Sequence, residues 1–394
     1  MKKNIAIIIE RANIVLGGAE RSVFELSLAL SSLGNKVTIL AAKGQTDAKN
    51  IHILCQGTPG KRTDFSTFSK ALKEHLSQNH YDIVHSVLPF DFADVYQPRG
   101  GSFAESIIRN AASYENKFVE TYKRITAIAN VRRSIQLRAE KKLCKTADGP
   151  IVAALSEYVA EQFRKHYGLD EKRLTVIPNG IKIQKRLDTI TSDRLRSQIL
   201  SKLNLVEANN PVFFLFVANN FRLKGLGPLI KALQIVDRKN SDRPAYLVVA
   251  GLGKPHKYRH LARQLKVHKK IIFLGAIRHV QNVLAVADVA VLPTFYDPSS
   301  RFILESLAAK RPVITTKFNG ASDMFNERHG KIIDTPDNVQ ALAEALQYFT
   351  DTENIENASQ AIADDNLEEK ISIIRVAKQL QSLYDSIPQK EEQK

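Results

Sequence analysis

The stretch Asp297–Glu305, with the sequence D-P-S-S-R-F-I-L-E, indicates both a fold and a site. It follows the apolar run from Val289 to Pro293, which is typical of a buried parallel strand. Apolar residues at helical spacing come next and end before Pro312, so the stretch predicts a loop that leads from a strand into a helix. Ser299 and Ser300 lie at the helix N-terminus, whose unpaired amides and partial positive charge suit a phosphate. A second interpretation makes the first acid a helix cap and the second a surface acid.

The rest of the chain repeats this alternation of strands and helices. Its 394 residues are too many for one ordinary core, so two domains are expected. Strands are predicted at residues 4–9, 36–40, 81–86 and 151–156, and again at 211–217, 245–250, 271–275, 289–292, 313–314 and 332–333. The pattern predicts an α/β protein of two doubly wound Rossmann-like domains with a cleft between them. The polar stretch 182–210 is expected to be an irregular linker, and residues 389–394 a frayed end.

Composition limits the class of protein. The chain is 44% hydrophobic and 25% charged, as globular proteins are, and no apolar run approaches the roughly 20 residues of a membrane span. The first apolar run ends at Glu10, too soon for a signal peptide. Cys55 and Cys144 lack metal-ligand spacing and no D-x-D motif occurs, so a cytoplasmic protein without metal or other cofactor is expected. The net charge of +16 predicts an anionic partner: nucleic acid, acidic lipid or a phosphorylated substrate.

Loops that follow predicted strands carry candidate ligand-binding residues. Gly17 and Gly18 precede the first helix and let a ligand approach its N-terminus, unless they only form a tight turn. Lys224 and Arg222 place cations after the strand 211–217, where an arginine fork or a lysine point charge can bind phosphate. For Arg222 a solvated loop cation is the alternative. Gly251 ends the strand 245–250 in the same way.

A helical insertion predicted at residues 105–145 has an unusual charge. Within residues 109–145 ten basic side chains face three acidic ones. Phe118, Tyr122 and Ile125 recur there at helical spacing. A basic amphipathic helix suits an anionic membrane surface, where each Lys or Arg contributes about 1 kcal/mol. The alternative is a solvated helix pair packed on its domain.

Taken together, these motifs resemble the retaining nucleotide-sugar glycosyltransferases of family four, over nearly the whole chain. The two acids with seven residues between them resemble the family's E-x7-E motif. Four further segments of the chain resemble segments of the family: G-G-A-E-R at 17–21, D-I-V-H at 82–85, V-I-P-N-G-I at 176–181 and K-G at 224–225. The chain departs from the family at Asp297, Val87 and Asn219, where Glu, His and Arg are usual.

The resemblance implies a GT-B fold, in which residues 1–180 bind the acceptor and 181–366 bind the nucleotide sugar. Residues 367–394 then form a helix that crosses back to the first domain and a frayed tail. It also implies that Glu305 bonds the donor ribose, Asp297 the hydroxyls of the sugar, and the Ile277 backbone the base. With Lys224, the two acids form the catalytic set. The other implied donor contacts are Gly17, Gly18, Arg222, Gly251, Ser299, Ser300, Arg301, Phe302 and Ile303.

The acceptor side of this site is expected in the first half. His85 follows a strand end, where open α/β sheets bind ligands, although a hydrogen-bonded structural histidine is the alternative. Asp94-Val95-Tyr96 resembles a segment of lipopolysaccharide core glucosyltransferases. Asp94 and Arg99 complete the acceptor-side set, and no general base is assigned.

We therefore expect a retaining hexosyltransferase that uses a nucleotide diphosphate sugar and a glycolipid or lipopolysaccharide-core acceptor. UDP is the favoured nucleotide because it is common in the family. Neither a nucleophile nor a base for double displacement stands out, which fits same-face attack assisted by the leaving phosphate. Residues 109–145 would hold a cytoplasmic protein peripherally to the inner face of the membrane, with no nucleic-acid partner. The alternatives are a nucleotide-sugar epimerase or phosphorylase on the same fold, or a catalytically degenerate protein that binds lipid or nucleic acid.

Overall fold

The computed structural model describes residues 2–13, 17–44, 48–55, 63–183, 189–206, 210–239, 243–277 and 279–388. The chain divides into two compact units. The first consists of Met1–Ala111, Asn116–Lys182 and Ser372–Lys394, and the second of Ala112–Glu115 and Ile183–Ile371. The frayed end expected at 389–394 lies outside the described residues.

A seven-stranded parallel sheet forms the centre of the first unit, in the order β3-β2-β1-β4-β5-β6-β7. The strands are β1 (Asn4–Ala12), β2 (Lys36–Gly44), β3 (Ile51–Ile53), β4 (Ile83–Ser86), β5 (Val95–Tyr96), β6 (Ile151–Ala154) and β7 (Leu174–Val176). Ile5, Ile7 and Ile8 of β1 are fully buried, because helices cover both faces of a parallel sheet. The strand order reverses between β1 and β4.

Helices of the first unit follow its strands, and the helical insertion predicted at 105–145 is confirmed as three consecutive helices. The helices are α1 (Gly18–Ser32), α2 (Phe65–Gln78), α3 (Phe103–Ala112), α4 (Lys117–Ala129), α5 (Val131–Lys145) and α6 (Glu157–Tyr167). Asn116 caps α4 and Asn130 caps α5 through their side-chain oxygens. Asparagine favours such caps, so these two residues divide the insertion.

The second unit contains a six-stranded parallel sheet in the order β10-β9-β8-β11-β12-β13. Its strands are β8 (Val212–Val217), β9 (Ala245–Ala250), β10 (Ile271–Gly275), β11 (Val289–Leu292), β12 (Val313–Thr316) and β13 (Gly330–Ile333). The order reverses between β8 and β11. The predicted doubly wound α/β architecture is confirmed in both units.

Eight helices with these bounds belong to the described part of the second unit: α7 (Thr189–Leu203), α8 (Leu226–Arg238), α9 (His256–Gln264), α10 (Val280–Val286), α11 (Arg301–Ala308), α12 (Val339–Tyr348), α13 (Thr352–Asp364) and α14 (Leu367–Lys370). The prediction of an irregular linker at 182–210 is wrong for its middle part, since α7 lies there. Ile199 and Leu200 of α7 are buried, and the helix packs against α10. The many polar residues of this segment hid the helical spacing of its apolar residues.

The last helix, α15 (Ile373–Ser386), belongs to the first unit, as predicted. It packs on α1 and buries Val376, Leu380 and Tyr384. The Ile373 amide donates to the Ile181 carbonyl at 2.8 Å. The segment in which the chain leaves the first unit is therefore hydrogen-bonded to the segment in which it returns. Within the described residues, none of the helices has the length and apolar character of a membrane span.

Candidate active site

Lys224 and Asp297 meet at the point where the strand order of the second unit reverses. Lys224 follows β8 and Asp297 follows β11, and the carboxyl ends of these two neighbouring strands form the crevice where open α/β sheets bind ligands. The Lys224 Nζ donates to Asp297 Oδ2 at 2.6 Å and to the Tyr296 carbonyl at 2.8 Å. Folding therefore pairs a cation and a carboxylate that are 73 residues apart in sequence.

The loop that carries Lys224 is fixed against the end of β11. The Leu223 carbonyl accepts hydrogen bonds from the Phe295 amide at 2.9 Å and from the Thr294 hydroxyl at 3.2 Å. Gly225 has a φ of +80°, and a Cβ at this position would collide with the Pro293 carbonyl oxygen. Only glycine meets both conditions without strain, which explains the K-G pair.

Asp297 is held by its backbone as well as by its side chain. Its amide donates to the Phe318 carbonyl at 2.9 Å, and its carbonyl accepts from the Gly320 amide at 2.9 Å. These bonds tie the loop after β11 to the segment after β12. The carboxylate therefore starts from a fixed backbone position, although aspartate is one methylene shorter than the glutamate usual in the family.

The N-terminus of α11 is capped, but its first amides already have partners. The Ser300 hydroxyl caps the helix and accepts from the Ile303 amide at 3.5 Å. The Ser299 amide donates to Asp297 Oδ1 at 3.3 Å, and the Ser300 amide donates to Asn319 Oδ1 at 3.2 Å. The sequence predicted that these amides bind a phosphate. In the structure a phosphate would first have to displace the side-chain oxygens of Asp297 and Asn319.

Glu305 lies in the second turn of α11 with its carboxylate largely buried. Its side chain is 9% exposed, and Arg301 Nη2 lies 3.4 Å from its Oε1. Phe302 and Ile303 are buried at 7% and 0% exposure, so their side chains belong to the core of the unit. Among the described residues, no group of three or more His, Cys, Asp or Glu side chains is placed to hold a metal ion, and the metal-independent reaction stays a prediction.

Gly251, Asn219 and Ile277 lie at the same edge of the sheet. Gly251 has a φ of +119°, and its amide donates to the Gly275 carbonyl at 2.7 Å. The Asn219 side-chain oxygen accepts from the Leu252 amide at 3.1 Å, which gives this departure from the family a structural role. Ile277 is half-buried after β10, and its neighbour Arg278 lies outside the described residues.

Arg222 does not join Lys224 in the crevice. Its guanidinium lies over the Tyr114 ring at 3.8 Å, and its Nη1 donates to the Ser113 hydroxyl. Burial lowers the pKa of Arg222 from its ordinary value. The structure thus gives this cation partners within residues 112–115, and the phosphate contact predicted for it has no support in this arrangement.

The predicted acceptor-side residues lie in the first unit, where His85 is internal and Asp94 is half-buried. His85 is fully buried, its Nδ1 lies 2.7 Å from the Tyr384 hydroxyl, and burial lowers its pKa to about 3. Asp94 Oδ2 accepts from the Val84 amide at 2.7 Å. These contacts give both residues a structural role, and the acceptor contacts expected of them stay predictions.

Arg99 and the glycine pair stay closer to the prediction. Arg99 Nη1 donates to the Ser22 hydroxyl at 2.9 Å and to Asn179 Oδ1 at 3.0 Å, and the residue is half-buried. Gly17 precedes α1 in an extended conformation, and Gly18 is exposed at the first position of that helix. The acceptor contact of Arg99 and the donor contacts of Gly17 and Gly18 stay predictions.

Sequence reasoning missed Asn319 and Thr294, which organise the crevice. Asn319 is fully buried, accepts from the Ser300 and Ala321 amides, and donates to the Thr315 hydroxyl at 2.9 Å. The Thr294 hydroxyl links the two loops as described above. For Asn319 the available signal was an Asn-Gly pair soon after a strand, since asparagine side chains bond to the backbone at turns.

Comparisons with known proteins match both halves of the chain. Residues 16–185 match the family model described as Glycosyltransferase Family 4, and residues 200–365 match the one described as Glycosyl transferases group 1. The lipopolysaccharide glucosyltransferase WaaG of Escherichia coli K12 is 22% identical over 335 residues, which are 84% of this chain and 85% of that protein. The D-inositol 3-phosphate glycosyltransferase of Corynebacterium glutamicum is 26% identical over 62% of this chain and 59% of its own length.

Solved structures share the fold over nearly the full chain. The crystal structure of WaaG covers 97% of this chain and 100% of its own, with a TM-score of 0.75 and 18% identity. The Anabaena protein Alr3699/HepE, in complex with UDP-glucose, covers 98% of this chain and 100% of its own, with a TM-score of 0.69 and 13% identity. At these identities the likeness concerns the fold.

Proposed function

The chain belongs to the glycosyltransferases, with a Family 4 first half and a group 1 second half, and from this premise we propose that it moves a hexose from a UDP-sugar to a glycolipid acceptor with retention of configuration. The observation that carries the proposal is the Lys224–Asp297 pair at the β8–β11 reversal, at the loop that leads into the helix of Glu305. The second unit is then the donor-binding domain and the first unit the acceptor-binding domain.

The crevice suits a reaction that builds negative charge on a departing diphosphate. The Lys224 side chain is 20% exposed and that of Asp297 is 15% exposed, so a ligand can reach the pair from solvent. In the proposal the ammonium of Lys224 turns to the diphosphate, and Asp297 is released to accept hydrogen bonds from hydroxyls of the sugar. A pre-placed cation in a site from which water is excluded stabilises such a transition state by several kcal/mol.

The remaining donor contacts follow from the same edge of the sheet. The Glu305 carboxylate would accept hydrogen bonds from the ribose hydroxyls, and the backbone of Ile277 would contact the nucleotide base. UDP-glucose is the donor to test first, because the Anabaena protein of the same fold is in complex with it and the E. coli relative is named a glucosyltransferase. An acceptor hydroxyl would attack the anomeric carbon on the face that the diphosphate leaves and pass its proton to the departing diphosphate. This gives retention without a covalent intermediate.

Helix α4 supports a membrane-bound acceptor. Phe118, Tyr122 and Ile125 are 88%, 62% and 66% exposed, and their spacing places them on one face of the helix. Lys123 and Arg124 are exposed beside them. Exposed apolar side chains flanked by cations are typical of a helix that lies in the interface of an anionic membrane. The name of the E. coli relative suggests a lipopolysaccharide core as the acceptor class.

Transfer from labelled UDP-hexoses tests the enzymatic proposal. Purified protein is incubated with UDP-glucose or UDP-galactose and a lipopolysaccharide-core acceptor, and the anomeric configuration of the product is determined by NMR. We expect an α-linked product, and loss of transfer in Glu305→Gln but not in Glu344→Gln, which changes an exposed acid of α12. A β-linked product would refute retention, and equal activity of both variants would refute the site.

Sedimentation with vesicles tests the membrane contact separately. Replacing Phe118, Tyr122 and Ile125 by serine should weaken binding to anionic vesicles at least about tenfold, because burial of even one such side chain contributes on the order of 1.5 kcal/mol. Leu28→Ser and Ile190→Ser, at positions 63% and 75% exposed on other helices, serve as the control. Equal loss in the control would remove the special role of α4.

A further inference from the structure

A second basic surface lies on the second unit, and the site described above does not use it. From residue 254 to residue 270 the chain carries seven Lys or Arg residues and three His residues, with no Asp or Glu. The segment comprises α9 and the short 3-10 helix His268–Lys270. We define the α9 surface by its exposed members Lys254, His256, Lys257, Arg259, His260, Arg263, Lys266, His268 and Lys269.

The fold turns these charges outward. Tyr258 and Ala262, four residues apart, are 8% and 1% exposed and form the buried face of α9, which packs on α8. Leu261 and Leu265 are half-buried beside them. A helix of 3.6 residues per turn then presents its remaining positions to solvent, and five of the six exposed positions of α9 are Lys, Arg or His.

Few of these cations are neutralised by neighbours. Lys270, at the edge of the segment, pairs with Asp237 at 3.3 Å, and Arg259 lies over the Phe273 ring at 5.2 Å. Arg263, Lys266 and Lys269 have no acidic side chain within ion-pair distance among the residues that the structure describes. A cluster of unpaired cations raises the local positive potential and attracts extended anionic partners.

We propose that the α9 surface is an electrostatic docking site for the anionic headgroups of a lipid bilayer. The proposal rests on the proposed function, since a glycolipid acceptor brings the protein to a membrane. Exposed side chains without fixed hydrogen bonds suit a diffuse layer of negative charge, whereas recognition of a single phosphate uses donors in a fixed geometry. Such a contact weakens as ionic strength rises.

Two features distinguish this surface from others that bind anions or membranes. Proteins that bind single-stranded nucleic acid stack bases on exposed aromatic rings, and the aromatic residue of α9, Tyr258, is buried. Helix α9, all of which the structure describes, exposes no large apolar side chain, in contrast to α4. The contact of the α9 helix with headgroups is therefore electrostatic.

Binding to vesicles of phosphatidylcholine, with and without phosphatidylglycerol, tests the proposal. The surface variant combines Arg263→Gln, Lys266→Asn and Lys269→Gln; asparagine suits the φ of +61° at position 266. The control combines Arg194→Gln, Lys202→Gln and Lys239→Gln, three exposed positions elsewhere on the second unit, so both variants lose the same charge.

The surface variant should lose about 100-fold in affinity for anionic vesicles at low salt, since each cation contributes about fivefold. The control should change little, and the wild type should bind pure phosphatidylcholine weakly. Equal loss in both variants would overturn the proposal, because net charge alone would explain it. Loss of affinity for polyuridylate, with vesicle binding kept, would overturn it in favour of a nucleic-acid surface.

Calorimetric titration with UDP-glucose on the same samples separates this inference from the proposed function. Both variants should bind the nucleotide sugar as the wild type does, because neither changes a residue of the crevice. A wild type that binds no nucleotide sugar would defeat the proposed function whatever the vesicles show. A surface variant that keeps its vesicle affinity would defeat the α9 proposal alone.

Discussion

Substitution of Lys224 by methionine should separate ligand binding from folding. The change removes the ammonium that lies 2.6 Å from Asp297 Oδ2 and 2.8 Å from the Tyr296 carbonyl, but keeps much of the side-chain volume. A hydrogen bond to a charged group contributes about 1.5–3 kcal/mol, so affinity for UDP should fall about 10- to 150-fold. Loss of one preorganised charge that meets the transition state should lower kcat about 100- to 1,000-fold.

The effect of Lys224→Met on stability should be much smaller. The two side chains of the pair are 20% and 15% exposed, so solvent screens part of their attraction, and Asp297 keeps the Ser299 amide as a donor. We expect the free energy of unfolding to fall by only about 1 kcal/mol.

Calorimetry, steady-state kinetics and thermal unfolding measure the three effects of Lys224→Met. Lys231→Met is the matched control, because that lysine lies on α8 in the same unit and pairs with Glu115 at 3.3 Å. The control should bind UDP normally. A Lys224→Met protein that binds UDP within about twofold of the wild type, well below the change expected for a charged hydrogen bond, would refute the reasoning.

Three further predictions concern other residues. Gly225→Ala should lower the free energy of unfolding by more than about 2 kcal/mol and weaken UDP binding, whereas Gly168→Ala, with a φ of +60° and open space around it, should cost about 1 kcal/mol in thermal unfolding. Asn319→Ala should cost about 1–3 kcal/mol in denaturant unfolding and lower kcat, because the Ser300 amide loses its acceptor; unchanged kcat would contradict its positioning role. Burial raises the pKa of Glu140 from 4.5 to about 7, so the native state binds a proton that the unfolded chain releases and stability should fall as pH rises between these values. Unfolding at several pH values should show this slope flattened in Glu140→Gln, and an unchanged slope would assign it to other groups.

The sequence predicted those parts of the fold that depend on local pattern. The runs at β9, β10 and β11 are apolar and bounded by Gly or Pro, so their limits were predicted as the structure has them. The turn from Asp297 into α11 was predicted for the same reason, since a strand, a serine cap and a helical apolar pattern follow each other directly. Helix α7 was missed because its pattern is mostly polar.

Contacts between distant residues could not be predicted in this way. His85 stands at a strand end, but the sequence does not show that Tyr384, 299 residues later, would cover it. Arg222 stands beside Lys224, but its partners Ser113 and Tyr114 come from another part of the chain. Such contacts arise only when elements pack, and they decide whether a polar residue faces a ligand or the interior.

The structure of a complex with UDP tests the central claim most directly. We predict that the diphosphate lies within hydrogen-bond distance of Lys224 Nζ, and that a ribose hydroxyl donates to the carboxylate of Glu305. Asp297 should then no longer accept from Lys224. UDP bound away from the β8–β11 reversal, or bound there with the Lys224–Asp297 bond intact, would contradict the account.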